Sequence, residues 1–273
     1  MSFFLSVWEQ RAQKLLDNPF AIFYFLRRNL YDQFVMDKYV PFYKKLHYLT
    51  PEETFNYIIV NDCSIVRLGD GEFGLMRGAS VYFNDWYQKY DPTLSKKLKE
   101  VAASHDERVL LCIPGDHLSK TKEEEPNEYE FWINSKILLH NLVHEDKLYG
   151  SSFAFHPHVN KGIDYKKLRD YLSTKNVIII TSGLERFEDI KLGKTTHFIE
   201  APKSNGWDKV SEIRSKLHKL IEDQQLSKDE TLVMASMGPA AKVFVYELTK
   251  EGFTAWDAGQ FFDLAYKQIK ELS

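Results

Sequence analysis

From residue 50 onward, short unbroken apolar runs alternate with longer stretches of helical periodicity. The runs cover 64–68, 108–114, 147–153, 176–183, 196–201, 231–236 and 253–258, and most of them close on a turn residue or a polar residue. A strand buried on both faces has this form, whereas a half-exposed strand alternates apolar with polar. Between the runs, Thr50-Pro51-Glu52-Glu53 offers an N-cap, a proline at the first helical position and an acid at the third. Further helices are expected at about 93–103, 127–143, up to 225, 240–250 and from 260. Strands alternating with helices predict an α/β domain, Rossmann-like, with a largely parallel sheet flanked by helices. Neither an internal repeat nor a GxGxxG or Walker sequence is present, which disfavours a dehydrogenase or P-loop enzyme.

Residues 1–49 follow another pattern. Trp8, Leu15, Leu16, Phe20, Phe23, Tyr24, Leu26, Leu30, Phe34, Phe42 and Tyr43 are dense and partly at helical spacing, with Arg27, Arg28, Lys38, Lys44 and Lys45 among them. The segment reads as a helical, aromatic-rich extension packed on an α/β domain of residues 50–273. The competing reading is a peripheral membrane or partner-enzyme contact, since aromatics interleaved with Lys and Arg lie at membrane surfaces.

One stretch carries candidate chemistry: Ser64-Ile-Val-Arg-Leu-Gly-Asp-Gly-Glu-Phe-Gly74. In extended backbone, Asp70 and Glu72 point to one side and Phe73 to the other, toward packing. Gly69 and Gly71 would let a ligand approach closely. Two carboxylates on one side repel unless a cation lies between them, and a sparse set of hard oxygens suits Mg²⁺ or Mn²⁺ completed by a substrate's phosphates. Arg67 either reaches a phosphate or is a solvated strand-end charge. The plain alternative is an ordinary Asp-Gly turn.

In parallel sheets, ligands bind at the carboxyl ends of strands. Ser151 and Ser152, Ser182 and Gly183, Gly238 and Pro239, and Asp257 all fall at such ends. Gly238-Pro239 opens a helix whose N-terminus suits an anion. His156 and His158 flank Pro157, but without a nearby third ligand they do not make a zinc site.

Composition narrows the class. At 273 residues, 44% hydrophobic and 27% charged, the chain reads as an ordinary globular protein. A net charge of −3 and a pI near 6.3 argue against a nucleic-acid binder with a general basic surface. Cys63 and Cys112 lack metal-ligand spacing and read as buried thiols in a reducing compartment. No signal peptide or spanning segment is visible, so a cytoplasmic protein is expected.

With these residues in view, the chain resembles the GT-D type of bacterial glycosyltransferases, the domain of unknown function 1792 family. The resemblance lies in Arg67-Leu-Gly-Asp-Gly-Glu-Phe73, Leu110-Leu-Cys-Ile-Pro114, Tyr149-Gly-Ser-Ser-Phe153, Ala201-Pro-Lys-Ser-Asn205 with Asp208-Lys209, Met237-Gly-Pro239 and Asp257-Ala-Gly259. It implies a metal-dependent hexosyltransferase using a nucleotide-sugar donor, UDP-sugar above all. The acceptor implied is a glycan or glycoprotein of bacterial surface polysaccharide or adhesin glycosylation. By position, Asp70 and Glu72 would hold Mn²⁺ (or Mg²⁺). Donor contacts would fall on Gly69, Gly71, Ser151, Ser152, Asn205, Asp208, Lys209, Gly238 and Pro239. The run Leu184-Glu-Arg-Phe-Glu-Asp189 and Gln260 depart from the family pattern, so no donor contact is assigned to them.

Breaking a sugar–diphosphate bond leaves negative charge on the leaving group, which a metal and Arg67 would offset. If the reaction inverts configuration, the acceptor hydroxyl needs a general base. Asp257 is the first candidate, with Asp208 and His156 as alternatives. Competing functions are a metal-dependent phosphohydrolase and a non-catalytic sugar- or nucleotide-binding partner of another transferase.

Overall fold

The unbroken apolar runs become the strands of one sheet. The structure, a computed structural model, describes residues 7–83, 86–126, 129–156, 158–187, 190–259, 261–262 and 268. The strands are β1 (His47–Tyr48), β2 (Ser64–Arg67), β3 (Val81–Phe83), β4 (Trp86–Gln88), β5 (Val109–Ile113), β6 (Leu148–Ser151), β7 (Asn176–Thr181), β8 (Thr195–Glu200), β9 (Thr231–Ala235) and β10 (Thr254–Asp257). Eight of them form a sheet in the order β1-β6-β5-β2-β10-β9-β7-β8, flanked by helices, and the pairings described within it are parallel. In β5, β7 and β9 every residue is buried, as unbroken apolar composition requires.

The order puts the centre of the sheet at β2 and β10. The next strand of the sheet after β2 is β5, on one side, while β10 is reached from β9 on the other. In a parallel sheet ligands are received at the carboxyl ends of the strands, and here the central pair is β2 and β10.

By contacts the chain divides into two compact units. Unit one comprises residues 1–48, 68–105 and 113–149, and unit two comprises 49–67, 106–112 and 150–273. The chain first passes between them at 48/49.

Unit two is built around strand residues Ile65, Leu110, Val177, Ile179, Leu232, Met234 and Trp256, covered on one side by Phe55, Ile58, Leu168 and Leu172. Burying each such side chain contributes about 1.5–3 kcal/mol. The helix Pro51–Val60 starts as its sequence requires: Thr50 Oγ1 accepts from the Glu53 amide at 3.2 Å, and Glu53 accepts from the Thr50 amide at 2.8 Å. Trp256 is fully buried; its indole N–H donates to the Cys63 carbonyl at 3.1 Å and its ring stacks on Tyr171 at 5.3 Å. Burial pushes the Cys63 thiol up to about 12 and the Cys112 thiol up as well.

Unit one contains the N-terminal segment. Helices Val7–Asp17 and Ala21–Arg27 lead through a wide turn at Arg28–Asp32 into short helical pieces ending at Tyr43. Met36 packs on Ile133 and Ile137 of the helix Tyr129–Leu139, and the Tyr43 hydroxyl donates to the Lys136 carbonyl at 2.5 Å. Within the aromatic-rich stretch at 81–90, β3 and β4 pair antiparallel. This pair is met by the N-terminal helix, where the Tyr82 hydroxyl donates to Asp17. The helix Tyr165–Leu172 in unit two, capped by Asp164, was not expected from the pattern. The final helix expected from residue 260 falls mostly outside the described residues.

Candidate active site

The acid motif does not continue β2 in extended backbone. Gly69 is extended (φ −124°, ψ −175°), and a helix begins at Asp70 and runs to Met76. Two acids in a first helical turn face the positive end of the helix dipole, and Glu72 sits at the third position, from which it reaches back. Its Oε2 accepts from the Gly69 amide at 2.8 Å. Residues two apart on a helix diverge, so the expected shared face of Asp70 and Glu72 is corrected: Asp70 is exposed, whereas Glu72 is buried. Phe73 is fully buried, as expected. Gly71 lies in this turn beside Val81, whose Cγ1 a β-carbon would meet at 3.3 Å. Lys14 of the N-terminal helix lies within Coulombic reach of Asp70, and burial holds its ammonium pKa below the usual lysine range.

Among the described residues, no three His, Cys, Asp or Glu side chains gather into a cage for a metal ion. An ion here would need substrate phosphates and waters to complete its shell, the usual mode for Mg²⁺ and compatible with Mn²⁺. The exposed Asp70 carboxylate fits that chemistry. Glu72 fits it less well, having already committed one oxygen as a helix cap.

In unit two, the carboxyl ends of β2 and β10 are closed by a charged cluster. Asp257 ends β10 and has no exposed surface. Its Oδ2 accepts from the Arg67 backbone amide at 3.1 Å, and its own carbonyl accepts from Arg67 Nε at 2.9 Å. Lys242, on the helix Pro239–Lys250, brings Nζ to 3.3 Å from Asp257 Oδ1 and 3.2 Å from Oδ2. Arg67 is held further: NH1 donates to the Ser152 carbonyl at 3.2 Å, and the guanidinium lies over the Phe155 ring. A buried carboxylate flanked by two cations is neutralised in place. General-base duty requires an accessible oxygen, which this geometry does not offer.

Small residues make the cluster possible. Gly259 has φ +53°, and a β-carbon there would collide with the Arg67 guanidinium. Gly238 has φ +57° and precedes Pro239 at the helix start, and its carbonyl accepts from Lys242 at 3.4 Å. Ser236 Oγ donates to the Gly259 carbonyl at 2.5 Å, tying the loop after β9 to the loop after β10.

The other expected donor residues divide. Ser151 is buried and structural: its amide donates to Thr54 Oγ1 at 2.8 Å, and its Oγ accepts from the Phe153 amide at 3.2 Å. Asn205 is left-handed (φ +52°) and leads into a short turn at Gly206–Lys209. At Gly206 a β-carbon would come within 2.8 Å of the Met237 carbonyl, which places this turn against the loop after β9. Asp208 is exposed, and Lys209 pairs with Glu212 at 3.0 Å. The cluster therefore unites Arg67, Ser152, Gly238 and Asp257, and it does not include the Asp208 and Lys209 side chains.

His156 follows Phe155 in the same unit. Burial, the neighbouring His158 and Arg67 hold its pKa below the usual 6.5, and its Nδ1 is buried with no hydrogen-bond partner. Lys242 was not singled out from the sequence. Its signal is a lone charge within Pro239-Ala-Ala-Lys-Val-Phe-Val245, where only a paired lysine is tolerated among buried positions.

Residues 65–271 match the family model of the glycosyltransferase GT-D fold. A probable glycosyl transferase Gly of Streptococcus gordonii is 26% identical over 235 residues, covering 79% of this chain and 32% of that protein. Glycosyltransferase GlyD of Streptococcus pneumoniae serotype 4 is 24% identical over 239 residues, covering 80% of this chain and 27% of that protein. The chain thus spans about a third or less of the length of these curated relatives. Among solved structures, a domain of unknown function 1792 with a distinct glycosyltransferase fold aligns with a TM-score of 0.68 at 23% identity, over 87% of this chain and 86% of that one. A glycosyltransferase of the same domain family from Streptococcus sanguinis aligns at 0.60 and 24% identity, over 84% and 86%. At these identities the likeness shows the fold.

Proposed function

The chain belongs to the GT-D-fold glycosyltransferases, and on that premise we propose that it moves a hexose from a nucleotide-diphosphate sugar, UDP-sugar first, to a hydroxyl of a glycan or glycoprotein. The observation that carries this reading is the Arg67–Asp257–Lys242 cluster at the carboxyl ends of β2 and β10. It fixes two cations at the carboxyl ends of the central strands of a parallel sheet, where an anionic leaving group can be received.

In this reading Asp257 is a positioning residue. It holds the Arg67 backbone and Lys242, while the Arg67 guanidinium and the helix start at Gly238 set the local positive potential for the diphosphate. The base is reassigned to His156. A neutral imidazole can accept the acceptor hydroxyl's proton; Nδ1 is shut away from solvent, so in this reading the accepting atom of the half-buried ring is Nε2. Asp70, with Glu72 behind it, would hold Mn²⁺ or Mg²⁺. That ion, when bound, supplies Lewis-acid stabilisation of the departing diphosphate. Gly69 and Gly71 are the backbone positions of the same turn, and Asn205, Ser152 and Pro239 remain proposed donor contacts.

A screen of UDP-, GDP- and dTDP-sugars for nucleotide release, with and without EDTA, tests the proposal. The expected result is turnover of one uridine donor that EDTA abolishes and Mn²⁺ restores. Equal turnover in EDTA would remove the metal from the reading. Absence of both binding and turnover for every donor would favour a non-catalytic glycan-binding role.

A further inference from the structure

The N-terminal segment buries one carboxylate, Asp32, and turns much of its apolar surface outward. Asp32 has no exposed surface; it accepts from Arg77 and from Arg27 Nε at 3.2 Å, and Arg77 NH1 continues to Asn134 Oδ1 at 3.2 Å. On the outside, Leu16, Phe20, Phe23, Leu30 and Phe34 are 67–76% exposed, with Leu26 at 50%. From Ala21 to Val35 the backbone stays helical, through one wide turn. Spacings of three and four place Phe23, Leu26, Leu30 and Phe34 along one stripe. Ala21 and Met36, by contrast, are buried and anchor the segment in unit one. Scattered exposed apolar residues need no explanation, but a row of this length on one helical face does.

Charge indicates what covers it. Between residues 21 and 31 the stripe carries Arg27 and Arg28 and no acid, while the whole chain is net −3; further along, Lys44 and Lys45 pair with Glu124 and Glu145. Arg27 reaches from its pairing with Asp32 outward, its side chain 61% exposed. A second copy of the same face would set like charge against like. An anionic bilayer takes both features together: apolar side chains enter the headgroup–acyl boundary while basic groups meet phosphate. We propose that this face is a peripheral membrane-binding surface for anionic phospholipid. The segment would lie in the interface without crossing it, since among the described residues no helix is long and apolar enough to span.

The test is co-sedimentation of the full chain with phosphatidylcholine vesicles, with and without phosphatidylglycerol, alongside light scattering. The expected result is binding to the anionic vesicles alone, weakened by added salt. It should fall at least tenfold in Phe23→Ser/Leu30→Ser, with an unchanged unfolding curve. These side chains are exposed, so folding should survive. Arg28→Gln should weaken binding roughly fivefold. Failure to bind either vesicle overturns the proposal, and so does equal binding to both. Concentration-dependent dimerisation abolished by the same double substitution would assign the face to a second copy instead.

Discussion

Arg67 and Asp257 bind each other mainly through backbone. The Arg67 amide donates to the Asp257 carboxylate, and the Arg67 Nε donates to the Asp257 carbonyl. Side-chain Nε and Oδ2 are 3.8 Å apart, so the direct ion pair is the looser part of the joint. The geometry locks the ends of β2 and β10 in register and leaves Lys242 as the closer cation for the carboxylate.

Removing the Asp257 carboxylate should therefore leave Lys242 buried without its counter-ion. Asp257→Ala is expected to cost about 3–5 kcal/mol, measured by urea unfolding. Lys242→Met in the same background should recover part of that loss, because the stranded charge goes with it. Strict additivity of the two substitutions would argue against the pairing.

Gly259→Ala faces two obstacles, a left-handed backbone and the Arg67 guanidinium. The backbone term alone costs about 1–2 kcal/mol. The larger effect should be on donor affinity, since the guanidinium must leave its seat on the Asp257 carbonyl. Calorimetric binding of a uridine diphosphate that matches the parent protein would show that this seat is irrelevant to the donor.

The two acids should separate. Asp70→Asn removes an exposed charge with no capping duty, so turnover should fall about 10²–10³-fold while the thermal midpoint stays near the parent value. Glu72→Gln keeps an oxygen for the Gly69 amide but loses the charge, so a modest stability loss of about 0.5–1 kcal/mol should accompany any loss of turnover. Parent-like turnover in both at saturating Mn²⁺ would return the motif to a helix cap and nothing more.

His156 gives a pH signature. Its pKa is depressed in the fold, so below about 6.5 the unfolded chain binds more protons than the native one. Its contribution to stability is present above that pH and is lost as pH falls through the usual histidine range. Turnover should decline further down, once the native imidazole itself protonates. His156→Gln should lower kcat by about 10²–10⁴ and abolish that acidic limb, with donor affinity retained. An unchanged limb would transfer the base to another group.

Much of this fold was legible from unbroken apolar runs, because a strand buried on both faces cannot hide its composition. Strands β5, β7 and β9 fall within a residue or two of their expected limits at each end. The acid turn was not legible in the same way. Gly71 and Gly74 lie inside the helix Asp70–Met76, and glycine costs about 1 kcal/mol there, so propensity pointed away from the helix that forms. What outweighs propensity is the Glu72 cap and the burial of Phe73, Leu75 and Met76. The cluster was half visible: Arg67 and Asp257 stood at strand ends, but their meeting depends on the β2–β10 pairing, and nothing local in the sequence encodes that pairing. The exposed face of the N-terminal segment was readable as aromatics among basic residues. Its direction was not, since periodicity alone does not say which side of a helix meets protein.

Trp256 stands immediately before Asp257 and is shut away from water, face to face with Tyr171. An indole so placed emits at short wavelength and exchanges energy with its neighbouring phenol, so β10 carries an intrinsic optical gauge one residue from the cluster. Among the five tryptophans of the chain, its light is the component that should respond when a ligand pulls on the joint between β2 and β10.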